Sequence, residues 1–465
     1  MKTFSKILQF SALALLLAFT ASCSDDDDGA NPIPTPATNI VDLALATDDL
    51  SSLVAALQRA DLVGALEADG PFTVFAPTNA AFTAFLSDNN FASLEDVPVD
   101  VLTQVLLNHV VNGENVSTAL STGYISSLST AGPEDSNLSL FIDTSDGVSI
   151  NGVSDVATPD IDASNGVIHI VNGVIGLPNI VDHALANGDL SELVGALTTG
   201  GDTTFTDLLS GTTTDFTVFA PVNAAFTAFT NPNGNALANI LSNHVIVGAA
   251  AFSTALSNSY QTTAATNADG DNLSLYINTD SGVTLNGTST VAAADIVATN
   301  GVIHAVDAVI DIPTVVSFAA ADPNFSTLLS ALTDLTPGTD FGAILSRTET
   351  GNADNLDPDF TVFAPTNDAF AALAAIPEEA VLTQVLLHHV LAGANVRSGD
   401  LTDGISPATL EGDNIIINLP GTGDNIADVT DGAGNTGIGI IAVDVQAGNG
   451  VIHVLNSVLL PDTMN

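Results

Sequence analysis

The histidines are the residues of this sequence whose type and spacing best suit metal binding or acid–base catalysis. Six of the eight histidines recur as pairs, with one member in an apolar run and the other in the string NGVIH. Two imidazoles could share a metal ion, but no third His or Cys recurs with them. The pattern therefore favours buried, structural rings that bond to backbone groups. The pairs are His109 with His169, His244 with His304, and His389 with His453.

Acidic side chains are too numerous to identify a catalytic pair, because 53 Asp and Glu guarantee accidental neighbours. Two Asp-rich stretches, 267–272 and 352–359, offer the oxygen ligands that Ca²⁺ takes. Neither fits the twelve-residue calcium loop with Gly at its sixth and Glu at its twelfth position, so calcium sites and solvated turns both remain open. No nucleophile elbow, HExxH, P-loop or dinucleotide fingerprint occurs, and the sequence predicts no cofactor.

The histidine pairs belong to a larger repeat that is marked by the string FTVFAP. This string begins at Phe72, Phe216 and Phe360, at two equal intervals. This period exceeds the roughly 20 to 50 residues of solenoid repeats. It matches a whole domain of about 100 to 150 residues. The sequence therefore predicts one module built three times, with three independent cores.

Each copy carries the same elements in the same order. An amphipathic helix comes first; in copy one Leu50, Leu53, Val54 and Leu57 fall on one helical face. FTVFAP follows as a buried strand, and then an apolar helical run carries the first histidine of the pair. An alternating stretch with a hairpin signal at Asp146–Gly147 leads to the NGVIH strand.

These segments resemble the fasciclin-like domain family, whose signature regions are FTVFAPTN, the apolar run ending in His-Val, and NGVIH. The resemblance implies an α+β fold of three tandem domains, each a wedge-shaped β-sandwich flanked by helices, over 39–178, 179–312 and 313–463. The family is mostly extracellular and is associated with adhesion and matrix binding. Valine follows each central histidine where the family often has an aromatic neighbour, so its integrin-associated role is not carried over.

The first 38 residues resemble the leader of a bacterial lipoprotein. Lys2 and Lys6 precede an apolar run too short to span a bilayer comfortably, and small residues stand directly before Cys23. We expect 1–22 to be a signal peptide and Cys23 to carry lipid; the alternative is an ordinary secretory signal with an incidental cysteine. Residues 23–38 would form the anchor and an acidic, Pro-rich spacer. Four aspartates at 25–28 resemble a Bacteroidota surface-export signal, which implies an outer-membrane protein exposed at the cell surface.

Charge narrows the partners. The formal net charge is −48, with 5 Lys and Arg against 53 acids. Nucleic acid is excluded as a partner, because binding it needs clustered cations. Anionic headgroups would repel the domains, so membrane attachment must come from the lipid. One cysteine allows no intramolecular disulfide.

The resemblance and the lack of catalytic motifs together favour a non-catalytic surface lipoprotein for cell adhesion or for extracellular matrix or glycan binding. The sequence does not name the protein or glycan ligand. The alternative is a polysaccharide-associated enzyme or a nutrient-capture module. An enzyme should hold a pocket with strongly shifted carboxyl pKa values in one copy only.

Overall fold

The three sequence copies fold as three α+β domains in tandem. The computed structural model describes residues 38–198, 204–353 and 356–462. The names domain 1, domain 2 and domain 3 are used for 39–178, 179–312 and 313–463.

Each domain opens with two short helices. Asn39 and Asn179 begin the first helix of their domains, because their side chains accept hydrogen bonds from N–H groups of its first turn. The helices of domain 1 are α1 (Ile40–Ala46), α2 (Ser51–Arg59), α3 (Val63–Leu66), α4 (Asn79–Asp88) and α5 (Val99–Leu107). Those of domain 2 are α6 (Ile180–Ala186), α7 (Ser191–Leu197), α8 (Thr204–Leu209), α9 (Asn223–Ala228) and α10 (Leu237–Ser242). Those of domain 3 are α11 (Val315–Ala321), α12 (Ser326–Thr333), α13 (Phe341–Leu345), α14 (Asn367–Ala371) and α15 (Glu379–His388).

The strands of each domain form one bent sheet. Domain 1 has β1 (Phe72–Pro77), β2 (Val110–Asn112), β3 (Gly123–Ser126), β4 (Ser139–Asp143), β5 (Ser149–Ile150), β6 (Ser154–Ala163) and β7 (Gly166–Val171). Domain 2 has β8 (Phe216–Pro221), β9 (Val245–Val247), β10 (Ser259–Thr266), β11 (Asn272–Asn278), β12 (Thr284–Leu285), β13 (Ser289–Ala298) and β14 (Gly301–Val306). Domain 3 has β15 (Phe360–Pro365), β16 (Val390–Ala392), β17 (Ile416–Asn418), β18 (Ala427–Thr430), β19 (Ile438–Ala447) and β20 (Gly450–Leu455).

Strand order is shared by domains 1 and 2, and domain 3 keeps it with one strand fewer, as β16-β15-β20-β19-β18-β17. In domain 1 it runs β2-β1-β7-β6-β5-β4-β3, and the FTVFAP strand β1 pairs in parallel with the NGVIH strand β7. The early part of β6 pairs with β5 and its later part with β7, so the sheet folds back on itself. Apolar side chains from both halves, Phe75, Leu140 and Val171 among them, form a core between them. A second core lies between the sheet and the helices.

A buried asparagine closes each domain. In domain 1 the Asn165 side chain accepts the Ile40 N–H at 3.0 Å and donates to the carbonyls of Leu66 and Ala68 at 2.8 and 2.9 Å. Its backbone carbonyl accepts the Phe72 N–H at 3.0 Å. Asn300 and Asn449 make the same set of bonds in domains 2 and 3.

Domains 1 and 2 are joined by a tyrosine. The Tyr124 ring lies 5.0 Å from the Phe141 ring of its own domain and 5.6 Å from the His183 ring of the next. Its hydroxyl accepts a hydrogen bond from Asn187 at 3.4 Å. The Ser139 hydroxyl, on β4, accepts the Val297 N–H of β13 at 2.9 Å. We call these contacts joint 1.

Domains 2 and 3 are joined by the same design. The Tyr260 ring lies 4.8 Å from Tyr276 and 5.5 Å from Phe318, and its hydroxyl donates to the Asp322 carboxylate at 2.9 Å. The Ser274 hydroxyl accepts the Gln446 N–H at 2.9 Å. We call these contacts joint 2. Neighbouring domains therefore contact each other at both boundaries.

Tyr260→Ala in the full chain should loosen domain 3 relative to domain 2, because it removes the ring contacts and the hydroxyl bond together. We expect a larger radius of gyration in small-angle X-ray scattering. Tyr260→Phe is the matched control: it keeps the ring contacts and loses only the hydrogen bond to the Asp322 carboxylate, worth about 1.5 to 3 kcal/mol, so its scattering should stay close to that of the parent. An unchanged profile for Tyr260→Ala would show that joint 2 does not depend on this ring.

Candidate functional site

The central histidines occupy the same environment in the three domains. His109 Nδ1 lies 2.7 Å from the Val105 carbonyl oxygen, and Nε2 accepts the Ile175 N–H at 2.9 Å. Because a backbone N–H donates to Nε2, the proton of the neutral ring is on Nδ1, which donates to the carbonyl. His244 and His389 repeat both bonds. Each ring thus ties the end of a helix to the segment after the last strand, and neither nitrogen is left for a metal.

Burial shifts these rings toward the neutral form. Desolvation lowers the pKa of His109, His244 and His389 to about 4, against a smaller opposing effect of the backbone carbonyl. His183 in joint 1 is buried too, and desolvation lowers its pKa to about 4. All four rings are therefore uncharged at neutral pH.

The NGVIH histidines lie beside a serine and an aspartate that recur with them. In domain 1 the Asp160 carboxylate accepts the Ser117 N–H at 2.7 Å and the Ser117 hydroxyl at 2.5 Å. His169 Nε2 lies 2.9 Å from the Asn115 carbonyl oxygen, and Nδ1 accepts the Asp160 N–H at 3.2 Å. The matching groups are Ser253, Asp295 and His304 in domain 2, and Ser398, Asp444 and His453 in domain 3.

This set has the residue types of a catalytic triad but not its geometry. A nucleophilic serine needs the histidine as its base, with the aspartate behind the ring. Here the Ser117 hydroxyl donates directly to Asp160, and His169 bonds to backbone groups. The hydroxyl proton has no path to the imidazole, so the arrangement fixes loops and does not activate a nucleophile.

One mixed cluster among the described residues could hold a metal ion by proximity: His388, Glu411 and Asp413. His388 Nε2 accepts the Gly432 N–H at 3.1 Å, so the proton of the neutral ring is on Nδ1. Nδ1 lies 3.2 Å from the Thr409 hydroxyl and 3.5 Å from a Glu411 oxygen. A metal ion at Nδ1 would require the ring proton to move to Nε2. Nε2–H and the Gly432 N–H would then be two donors facing each other, and the hydrogen bond between them would be lost. Burial lowers the pKa of His388 more than Glu411 and Asp413 raise it. The ring is therefore suited to hydrogen bonding within domain 3.

The Asp-rich stretches lie at joint 2. Within 267–272, the Asp271 carboxylate forms an ion pair with Arg397 and accepts a hydrogen bond from Asn395 at 3.1 Å. Both partners belong to domain 3, so a side-chain cation already meets this loop. Calcium binding there stays a prediction.

The second Asp-rich stretch, 352–359, lies near the first. Burial, and next the Asp269 carboxylate, raise the pKa of Asp359. Asn352 bonds to the Asp357 carboxylate through its N–H and its amide at 2.8 and 2.7 Å. Residues 354 and 355 lie outside the described residues.

The joint tyrosines are the residues that the sequence reasoning missed. The chain has three tyrosines, and Tyr124, Tyr260 and Tyr276 all lie in the two joints. The available signal was the recurrence of Tyr124 and Tyr260 between the first histidine and the hairpin of their copies.

Cys23 and the leader 1–22 lie outside the described residues. Within 38–198, 204–353 and 356–462, no helix has the length and apolar content needed to cross a bilayer.

The four buried histidines with a pKa of about 4 should make folding sensitive to mild acid. In the unfolded chain these imidazoles become protonated near pH 6.5, whereas in the folded chain they stay neutral until about pH 4. Stability is therefore full above pH 6.5 and falls toward pH 4, by up to about 3 kcal/mol per ring. NMR of chains labelled at histidine should show these rings neutral at pH 5. Titration of the four near pH 6.5 would contradict this.

Similar proteins share the repeated unit. The chain is 38% identical to Protein sll1483 of Synechocystis sp. over 38% of this chain and 98% of that protein. It is 28% identical to human periostin over 91% of this chain and 47% of periostin, so it spans about half of that relative. A solved FAS1 domain pair from the insect cell adhesion molecule Fasciclin I covers 56% of this chain and 96% of that chain, at 18% identity and a TM-score of 0.37.

The fasciclin domain model matches three ranges, 48–178, 188–313 and 324–461. Each begins after the first helix of a domain and takes in FTVFAP and NGVIH. No catalytic family is indicated. The chain therefore belongs to the fasciclin domain family, as three fasciclin domains in tandem.

Proposed function

We propose that the chain is a surface-anchored adhesion arm, whose three domains bind an extracellular protein or glycan without catalysis. The observation that carries the proposal is the repeated joint. Tyr124 and Tyr260 each contact the next domain through a similar ring contact. These contacts hold the three related domains in a fixed arrangement relative to one another. Membership of a family associated with adhesion supports the same role.

The local chemistry also supports binding over turnover. The recurring serines donate to aspartate instead of histidine, and six paired histidines bond to backbone groups. Repetition has a clear use in adhesion, because three weak contacts on one tether raise the effective concentration of each other.

The anchor is the second part of the proposal. Lipid on Cys23 would hold the chain at the outer membrane, and 24–38 would act as a spacer that keeps domain 1 clear of the headgroups. Protein–membrane contact would come from lipid alone, since the net charge of −48 opposes binding to anionic headgroups.

Cys23→Ala should move the protein from the membrane fraction to the soluble fraction, because it removes the only thiol that can be acylated. Immunoblots of fractionated cells measure this directly, with Ser24→Ala as the matched control. Continued sedimentation of Cys23→Ala with membranes would place the anchor elsewhere.

Adhesion should depend on the joints as well as on the number of domains. The full chain with Tyr124→Ala and Tyr260→Ala keeps all three domains but loses their fixed relative arrangement. Beads that carry this variant should therefore adhere less to a partner-coated surface than beads that carry the parent chain at equal surface density. The double Tyr→Phe chain is the control, because it keeps the rings. Truncation to one domain should lower adhesion by more than the threefold loss of sites.

Two outcomes of the adhesion assay, and a separate assay for polysaccharide turnover, distinguish the alternatives. Loss of adhesion with EDTA would indicate divalent ions at 267–272 or 352–359 as bridges to the partner. Adhesion strictly proportional to the number of domains would remove the role of multivalency. Turnover of a polysaccharide by the chain would favour an enzyme over an adhesion arm.

A further inference from the structure

Domain 2 contains an apolar cavity between its helices and its sheet. Its volume is about 250 Å³. Side chains from α6, α7, β8 and β14 line it, among them Ala184, Leu193, Val218 and Ile303. Leu185 lies at its edge and is 64% exposed, so the cavity reaches the surface beside α6.

The same position is closed in the other two domains. The equivalent space is about 10 Å³ in domain 1 and about 30 Å³ in domain 3. The lining residues correspond closely: Ala44 and Ala319 stand where Ala184 stands, and Val74 and Val362 where Val218 stands. At these two positions the side chains of the open and the closed domains are the same, so they do not account for the difference.

The end of α7 shows where the spacing opens. Leu197 is the last residue of α7 and is half-buried, whereas its counterparts Leu57 and Leu332 are buried.

The cavity offers no partner for a charged or strongly polar group. His244 is its one buried titratable residue, and both ring nitrogens bond to backbone groups of Ile240 and Ile310. Thr198 and Thr206 are the other polar lining residues, and both are partly or fully exposed at the rim. Domain 2 has no Lys or Arg in its sequence. A carboxylate or phosphate would meet only negative charge.

We propose that domain 2 binds a neutral, hydrocarbon-rich small molecule in this cavity. By scale from a cavity of about 150 Å³ that holds benzene, the volume suits about ten carbon atoms. Apolar burial supplies the binding free energy, and the missing cations exclude fatty-acid anions. The site is independent of the adhesion role, because it lies in the core of one domain.

The test is calorimetric titration of the full chain, carrying Cys23→Ala so that no detergent is needed, with n-butylbenzene. One molecule should bind per chain and raise the unfolding temperature. The decanoate anion, with the same number of carbon atoms, should not bind. Ala184→Phe should abolish binding, because its ring occupies the cavity. Ala44→Phe is the matched control: it should lower the stability of domain 1 through overpacking and leave binding unchanged.

Methyl NMR locates the ligand without relying on a variant that folds. Butylbenzene should shift the methyl signals of Val218 and Ile303 and leave those of Val74 and Ile168 in place. Absence of binding up to the solubility limit of butylbenzene would overturn the proposal. So would three molecules per chain, equal binding of decanoate, or shifts confined to domain 1 or domain 3.

Discussion

The side-chain amide of one asparagine holds together segments that are far apart in each sequence copy. In domain 1, Asn165 connects the start of α1, the end of α3 and the start of β1. Gly166 follows it because any Cβ there would overlap the Phe72 carbonyl oxygen. The parallel pair β1–β7 and the helical layer are thus fixed by one short string, NG. Without the amide, the Ile40 N–H and the two carbonyls would be buried without partners.

The joints follow from that closure, because it places α1 or its equivalent against the neighbouring domain. His183 and Phe318 both lie on the first helix of their domain and both receive a tyrosine from the domain before. Domain 3 does not continue the series. The string GYIS at β3 aligns with 403–406, DGIS, so Gly404 stands in place of the tyrosine. The third copy therefore accepts a joint but lacks the ring to make another.

The fold was largely predictable from the sequence, because repetition exposed the strands. The FTVFAP and NGVIH strands form as predicted, and the hairpin at Asp146–Gly147 joins β4 to β5. Leu50 was placed on the first helical face, but α2 begins at Ser51, and Leu50 is buried in the turn before it. Helix boundaries depend on local hydrogen bonds that apolar spacing does not encode.

The site was less predictable. The histidine pattern was visible, but partners such as Ile175 N–H and Asn115 carbonyl are set by tertiary folding. The Ser–Asp pairs escaped notice because Ser117 and Asp160 are ordinary loop residues in a chain rich in both. The cavity of domain 2 was equally hidden. Two of its lining residues, Ala184 and Val218, match those of the closed domains, so the sequence at these positions does not distinguish it.

Charge explains why the joints are built from rings and backbone bonds. With a net charge of −48 the domains repel one another, and ion pairs cannot offset this because few cations exist. Arg59 and Arg347 donate to backbone carbonyls of their own domains. Arg397 of domain 3 pairs with Asp271 of domain 2.

Salt acts differently on these two kinds of contact. Aromatic packing and buried N–H bonds depend little on ionic strength, whereas repulsion between domains is screened beyond about 10 Å at 0.1 M salt. The ring contacts and buried hydrogen bonds of the joints therefore hold at low salt, where repulsion is strongest, and change little at high salt, where the Arg397–Asp271 pair weakens. The negative charge acts on the surroundings of the chain and repels anionic surfaces. The partner of the proposed adhesion arm would therefore be neutral, cationic, or bridged to the chain by divalent ions.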